Sequence, residues 1–156
     1  MPLIIGIDPD AAGGICSTDG QTYCCDRLWF ADAHRNRETL ARFIRDRSDV
    51  VYVESIPMIA GNGHVGMATR RTRYGAMLER LAMLGVRVVE VAPVAWQAAL
   101  GLTAGKGEGR PAHKARMAAV ARRLCPGVSL VLADAVLIGY YASQREASHG
   151  RAAQSH

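Results

Sequence analysis

Aromatic residues are scarce in this chain: Phe, Trp and Tyr make up 6% of its 156 residues, with two Trp and two Phe. A core short of them must be built on Val, Leu, Ile, Ala and Met. Lysine is nearly missing as well, since all of the 19 basic residues except Lys106 and Lys114 are arginine. Arginine grips phosphate by two-point forks, and a formal charge of +5 suits a polyanionic partner. The four cysteines, Cys16, Cys24, Cys25 and Cys125, include no CxxC spacing. That speaks against a zinc site or a disulfide framework and for reduced thiols in a cytoplasmic protein. No apolar run reaches membrane-spanning length, so no membrane partner is expected. Met1 leads directly into the first apolar run, so no secretory leader is expected, and one domain without internal repeat or linker is expected.

What is present fits one globular domain. Of the residues, 49% are apolar, enough for a proper core. The domain is expected to occupy residues 1–147, followed by a polar, frayed tail over 148–156. Its organising stretch is Leu3 to Ile15, LIIGIDPDAAGGI. The apolar run around Gly6 reads as a strand buried on both faces, ending at Asp8 because Pro9 cannot donate a ladder hydrogen bond. Gly13 and Gly14 let the chain reverse into a second strand, Gly14–Thr18. Asp19-Gly20 is a hairpin signal leading to a third strand, Thr22–Asp26. A helix follows over Asn36–Arg47, with Asn36 as its cap and Leu40, Phe43 and Ile44 on one face. Val50–Val53 is a fourth strand, ending at Glu54. Later elements are a Gly-rich loop over Ile59–Gly66, a helix Met67–Leu84, a fifth strand Val86–Val91 and a short helix Pro93–Leu100. A loop Thr103–Arg110, a helix Pro111–Leu124 and a last helix Leu130–Glu146 complete the chain. Trp29 and Trp96 read as packing residues. The pattern predicts an α/β fold with one five-stranded mixed sheet flanked by helices.

Three carboxylates share an unusual placement. Asp8 and Glu54 each terminate a buried strand, and Asp134 interrupts the apolar segment LVLADAVLIGYYA. Taken singly, Asp8 or Asp10 can cap a turn, and Asp134 can sit in the favourable first turn of a helix. Taken together, parallel neighbouring strands would bring Asp8 and Glu54 to one sheet edge, where like charges repel. Divalent cations relieve that repulsion, and oxygen-only donors favour Mg²⁺ or Mn²⁺. A pair of such ions supports phosphodiester hydrolysis.

The segments IIGIDPD, VYVES, HKARMAAVARRLCP and LADAVLIGYYA, in that order, resemble the RuvC-type Holliday junction resolvases over nearly the whole chain. The GIDPD form and the APVAW segment look closer to the chloroplast and phage-like members. The resemblance implies an RNase H-like fold and an endonuclease cutting four-way DNA junctions by paired symmetric nicks that leave 5′-phosphates. It also implies a two-metal Mg²⁺ or Mn²⁺ site and a homodimer. Residue by residue, Asp8, Glu54 and Asp134 match the metal-binding acids. Lys114 matches a lysine near the scissile phosphate, which makes Asp8, Glu54, Asp134 and Lys114 the candidate catalytic set. The bacterial pattern has a further acid three residues before the last, where Val131 stands here. Asp10 is the candidate to supply it. His113 is a candidate phosphate neighbour, Arg70, Arg71 and Arg73 are candidate backbone contacts, and Lys106 and Arg110 are similar candidates on a loop. Met58 and Ile59 occupy the region where relatives carry a junction wedge. The helix Met67–Leu84, with Met77, Leu81 and Leu84, is the candidate dimer interface.

Two rivals stand beside this reading. IGIDPDAAGG also suits the phosphate-cradling hairpin of an actin- or sugar-kinase-like nucleotide-binding protein, which would need a second hairpin and a longer chain. Val131 motivates the other, a branched-DNA-binding module without catalysis.

Overall fold

The computed structural model describes residues 3–10, 12–29, 32–56 and 64–153. Five strands, β1 (Ile4–Asp8), β2 (Gly14–Thr18), β3 (Tyr23–Arg27), β4 (Val50–Glu54) and β5 (Arg87–Val91), form one mixed sheet in the order β3-β2-β1-β4-β5. β1 pairs antiparallel with β2 and parallel with β4; β2–β3 is antiparallel and β4–β5 parallel. The helices are α1 (Ala33–Phe43), α2 (His64–Leu84), α3 (Pro93–Ala99), α4 (Arg110–Leu124) and α5 (Ala133–Ala153), the last entered through a 3₁₀ turn at Leu130–Leu132. None of the described helices is long and apolar enough to cross a membrane.

Alternation along the strands divides the core into two layers. Ile5, Ile7, Ile15, Val51 and Val53 face α1 and α2, packing on Leu40, Phe43, Met77 and Leu81. Cys16 and Tyr52 face the other way, onto Trp96, Met117, Ala135 and Ile138 of α3, α4 and α5. Met77 and Leu81 are therefore core residues, which removes them from the expected dimer interface; Leu84, half exposed at the helix end, remains on the surface.

Two glycines fix how close the central strand comes to its neighbours. A Cβ on Gly6 would lie 2.4 Å from the Gly139 nitrogen and 2.5 Å from the Ala135 carbonyl oxygen. Only a bare backbone lets α5 lie that close to β1. A Cβ on Gly13 would lie 2.1 Å from the Asp8 carbonyl oxygen, so the reversal after β1 also depends on glycine.

Elsewhere the expected elements shift slightly. α1 begins at Ala33 instead of Asn36, capped by Asp32, whose side chain accepts from the His34 and Arg35 N–H groups. Asn36 is buried, and its Oδ1 accepts from the Trp29 N–H at 2.6 Å. Both residue types cap well, and the apolar spacing of Leu40 and Phe43 suits either start. α5 runs on to Ala153, so residues 148–153 continue the helix where a frayed tail was expected.

Candidate active site

Parity places the two strand acids on the side of the sheet that faces α5, which carries the third. Asp8 follows Gly6 by two residues and Glu54 follows Tyr52 by two, so both side chains point toward α5. Each strand ends there, at the carboxyl edge of a parallel pair, where open α/β sheets build their sites. The Gly6–Gly139 approach draws in the first turn of α5, which carries Asp134. α4 brings Lys114, whose Nζ donates to Asp134 Oδ2.

The electrostatics are those of crowded acids. Asp8 is 7% exposed, and burial, then the charges of Asp134 and Glu54, push its carboxyl up to about 7. Burial likewise raises Glu54 to about 7, against a lowering hydrogen bond from the Trp96 indole, whose Nε1 donates to Glu54 Oε2 at 2.7 Å. Half-burial pulls the Lys114 ammonium down, but its hydrogen bond to Asp134 and the charges of Asp134, Asp8 and Glu54 outweigh this and hold it protonated above its ordinary range. Asp134 Oδ1 is buried and has no hydrogen-bond partner. An orphaned carboxylate oxygen beside two acids that resist ionisation is the environment a hard divalent cation satisfies, and every donor offered is oxygen. The residues therefore fit Mg²⁺ or Mn²⁺ in chemistry. Among the described residues, no three acids, histidines or cysteines already stand as a metal-holding group.

Asp10 lines the same cleft of about 30 Å³ as Asp8, Glu54, Ser55 and Arg70. Its side chain is half exposed and pairs with Arg70 at 3.0 Å, while its N–H donates to Asp8 Oδ1 at 3.1 Å. Arg70 thus reaches the acids directly. Arg71 is exposed on the same helix, and Arg73 lines a separate groove with Leu28, Asn36, Met77 and Arg80. Lys106 is exposed on the α3–α4 loop and Arg110 on the first turn of α4. His113 Nε2 lies 2.7 Å from the Leu102 carbonyl oxygen, tying α4 to the preceding loop. Val131 sits half-buried in the 3₁₀ turn before α5. Met58 and Ile59 lie outside the described residues.

Trp96 is the residue that sequence reading missed. It is fully buried, as packing would require, yet its one donor goes to Glu54. The available signal was its place on the helix following β5, the strand beside β4. Trp29, also read as packing, is 37% exposed.

A five-stranded mixed sheet with β3-β2-β1-β4-β5 order, helices on both faces and acids at the ends of its two central parallel strands is an RNase H-like α/β fold. Solved structures of RuvC-type resolvases share that fold with this chain. It is similar to the structure of Thermus thermophilus RuvC in complex with a Holliday junction substrate, at TM-score 0.63 and 18% identity, covering 94% of this chain and 96% of that one. A second Thermus thermophilus RuvC structure is similar at TM-score 0.60 and 21% identity, with coverage of 94% and 96%. The yeast mitochondrial Holliday junction resolvase Ydc2 is similar at TM-score 0.53 and 13% identity, covering 95% of this chain and 81% of that one. The sequence matches no protein-family model and no curated protein.

Proposed function

We propose that this chain is a metal-dependent, structure-selective endonuclease that resolves four-way DNA junctions by paired symmetric nicks leaving 5′-phosphates. The observation that carries the reading is the meeting of Asp8, Glu54 and Asp134 on one sheet face, with Lys114 beside them and Asp134 Oδ1 unpartnered. Asp8, Glu54 and Asp134 would hold Mg²⁺ or Mn²⁺, with Asp10 standing in for the acid absent at Val131. Bound there, such ions activate water and stabilise the charge that develops on phosphate oxygens. The chain's own residues do the rest. Trp96 fixes the rotamer of Glu54 and favours its ionised form. Lys114 offers an ammonium to a phosphate oxygen at the edge of the acid cluster. Arg70 neutralises Asp10 and faces the approaching strand.

A cleft of about 30 Å³ does not enclose a mononucleotide, which takes a pocket of several hundred Å³. It suits one phosphate of a polymer lying across it, which favours the nuclease over the nucleotide-binding rival. The likeness to a resolvase structure holding a Holliday junction supports the choice of branched DNA. Two symmetric nicks need two such sites, so the active form is a homodimer. The free cysteines suit a reducing cytoplasm.

The test is cleavage of a synthetic mobile four-way junction with Mg²⁺ or Mn²⁺, against matched linear duplex. The wild type is expected to nick the junction alone, in symmetric pairs, and Asp134→Asn to abolish the nicks while leaving junction binding in place. Tight binding without cutting by the wild type would support the inactive module instead. Asp10→Asn is expected to require more Mg²⁺ for half-maximal cleavage; full cleavage across the titration would remove Asp10 from the ligand set.

A further inference from the structure

The turn between β3 and α1 carries side chains that the acid cluster does not use. Strand register sets them beside it. Asp8 pairs with Gly14, and Gly14 pairs with Arg27, so the three stand abreast on one face of the sheet. Two strand spacings put the Arg27 backbone about 10 Å from Asp8, roughly three nucleotide rises of a DNA strand. The Arg27 guanidinium carbon lies 4.3 Å from the centre of the Trp29 ring, and that of Arg35 lies 5.0 Å from it.

The backbone that carries the ring is held in place. The Trp29 N–H donates to the buried Asn36 side chain at 2.6 Å, its carbonyl accepts from the Asp32 N–H at 2.7 Å, and the Leu28 N–H donates to the Gly13 carbonyl at 3.1 Å. Other arginines are neutralised: Arg42 by Asp26, Arg70 by Asp10, Arg87 by Glu146 and Arg116 by Glu108. Among the described residues, neither Arg27 nor Arg35 pairs with a carboxylate, and Arg27 Nε is buried with no hydrogen-bond partner. Two cations gathered on one half-exposed ring repel each other, and stacking alone is a modest recompense for each. An anion bound between them would remove the repulsion, and guanidinium edges are matched to phosphate oxygens.

We propose that Arg27, Trp29 and Arg35 form a phosphate-binding cluster that grips the DNA backbone about three nucleotides from the phosphate over Asp8. Trp29 acts as the post on which both guanidinium groups are oriented. The proposal extends the nuclease reading by naming where the substrate strand continues, and rests on it only for which strand is held.

The experiment measures affinity of the full chain for a labelled four-way junction in EDTA, across a range of NaCl concentrations. Each phosphate contact contributes about 0.9 to the slope of log K against log salt for duplex DNA. Arg35→Gln is expected to flatten the slope by about that much, and Arg27→Gln with Arg35→Gln by about twice as much. Trp29→Ala should flatten it too, whereas Trp29→Phe, which keeps a ring, should restore most of it. Arg35 is exposed, so its variant tests the cluster without threatening the fold. Slopes equal to wild type in Arg35→Gln and in the double variant would reduce the cluster to surface packing. A wild type that binds no DNA would overturn it as well. The two readings fail separately. A wild type that never cuts a junction with Mg²⁺ or Mn²⁺ but keeps a cluster-dependent slope sinks the resolvase and leaves the phosphate grip. Symmetric nicking with variant slopes unchanged does the reverse.

Discussion

An indole N–H can only donate, and Trp96 gives its single donor to Glu54. The bond favours the charged carboxylate against the burial that raises it. Trp96→Phe keeps the ring and most of the packing but removes that donor. Groups that orient a metal ligand are worth about 10- to 100-fold in affinity or activity. The variant is therefore expected to cleave junctions with a Mg²⁺ midpoint raised by about that factor and to recover much of its rate at saturating Mg²⁺. A loss that no Mg²⁺ concentration restores would place Trp96 in packing alone. At this scale the acids were legible, because a carboxylate ending a buried strand stands out in the pattern. The tryptophans were not: side-chain type marks both as bulky and apolar, and only the neighbours of a folded chain show that one meets Glu54 and the other meets two arginines.

Among the elements, β1 and α5 set the site. The strand ends could be read because Pro9 stops β1 and the Val50–Val53 run stops at Glu54. The pairing of α5 with β1 could not, since nothing in a helix of mixed small and apolar residues says which strand it will cross. Gly6→Ala tests that crossing. The added methyl would meet backbone atoms that cannot swing aside. The expected loss is about 3 kcal/mol of unfolding free energy or more, read by urea denaturation. A change below about 1 kcal/mol would mean that α5 can retreat without cost. The start of α1 is likewise set by a contact that the sequence does not display. Asp32 and Asn36 are both good caps one turn apart, and the choice between them was made by Trp29, whose N–H takes the Asn36 side chain.

For the whole molecule, the acid cluster couples stability to pH and, if it holds the proposed ions, to metal. Asp8 and Glu54 have folded pKa values near 7, against ordinary values of 3.8 and 4.5. Between about pH 4 and 7 the folded protein holds protons that the unfolded chain has released, so stability without metal falls as pH rises through that window. In EDTA, thermal unfolding midpoints are expected to decline from pH 5 to pH 7.5. Mg²⁺ should reverse the decline, with about 2.7 kcal/mol of stabilisation at a hundredfold excess over its Kd, and should do much less at pH 5. Equal Mg²⁺ shifts at both pH values would show that the ion binds away from these acids. Gly6 and Gly139 face each other with no side chain on either, so neither position holds atoms that could be trimmed to make room for growth at the other. Most packed pairs can drift by trading bulk across the contact. This one has nothing to trade on the strand side: a Cβ on Gly139 would meet its neighbours at an ordinary 3.7 Å, but any lineage that keeps α5 this close to β1 must leave Gly6 bare while the rest of the sequence wanders.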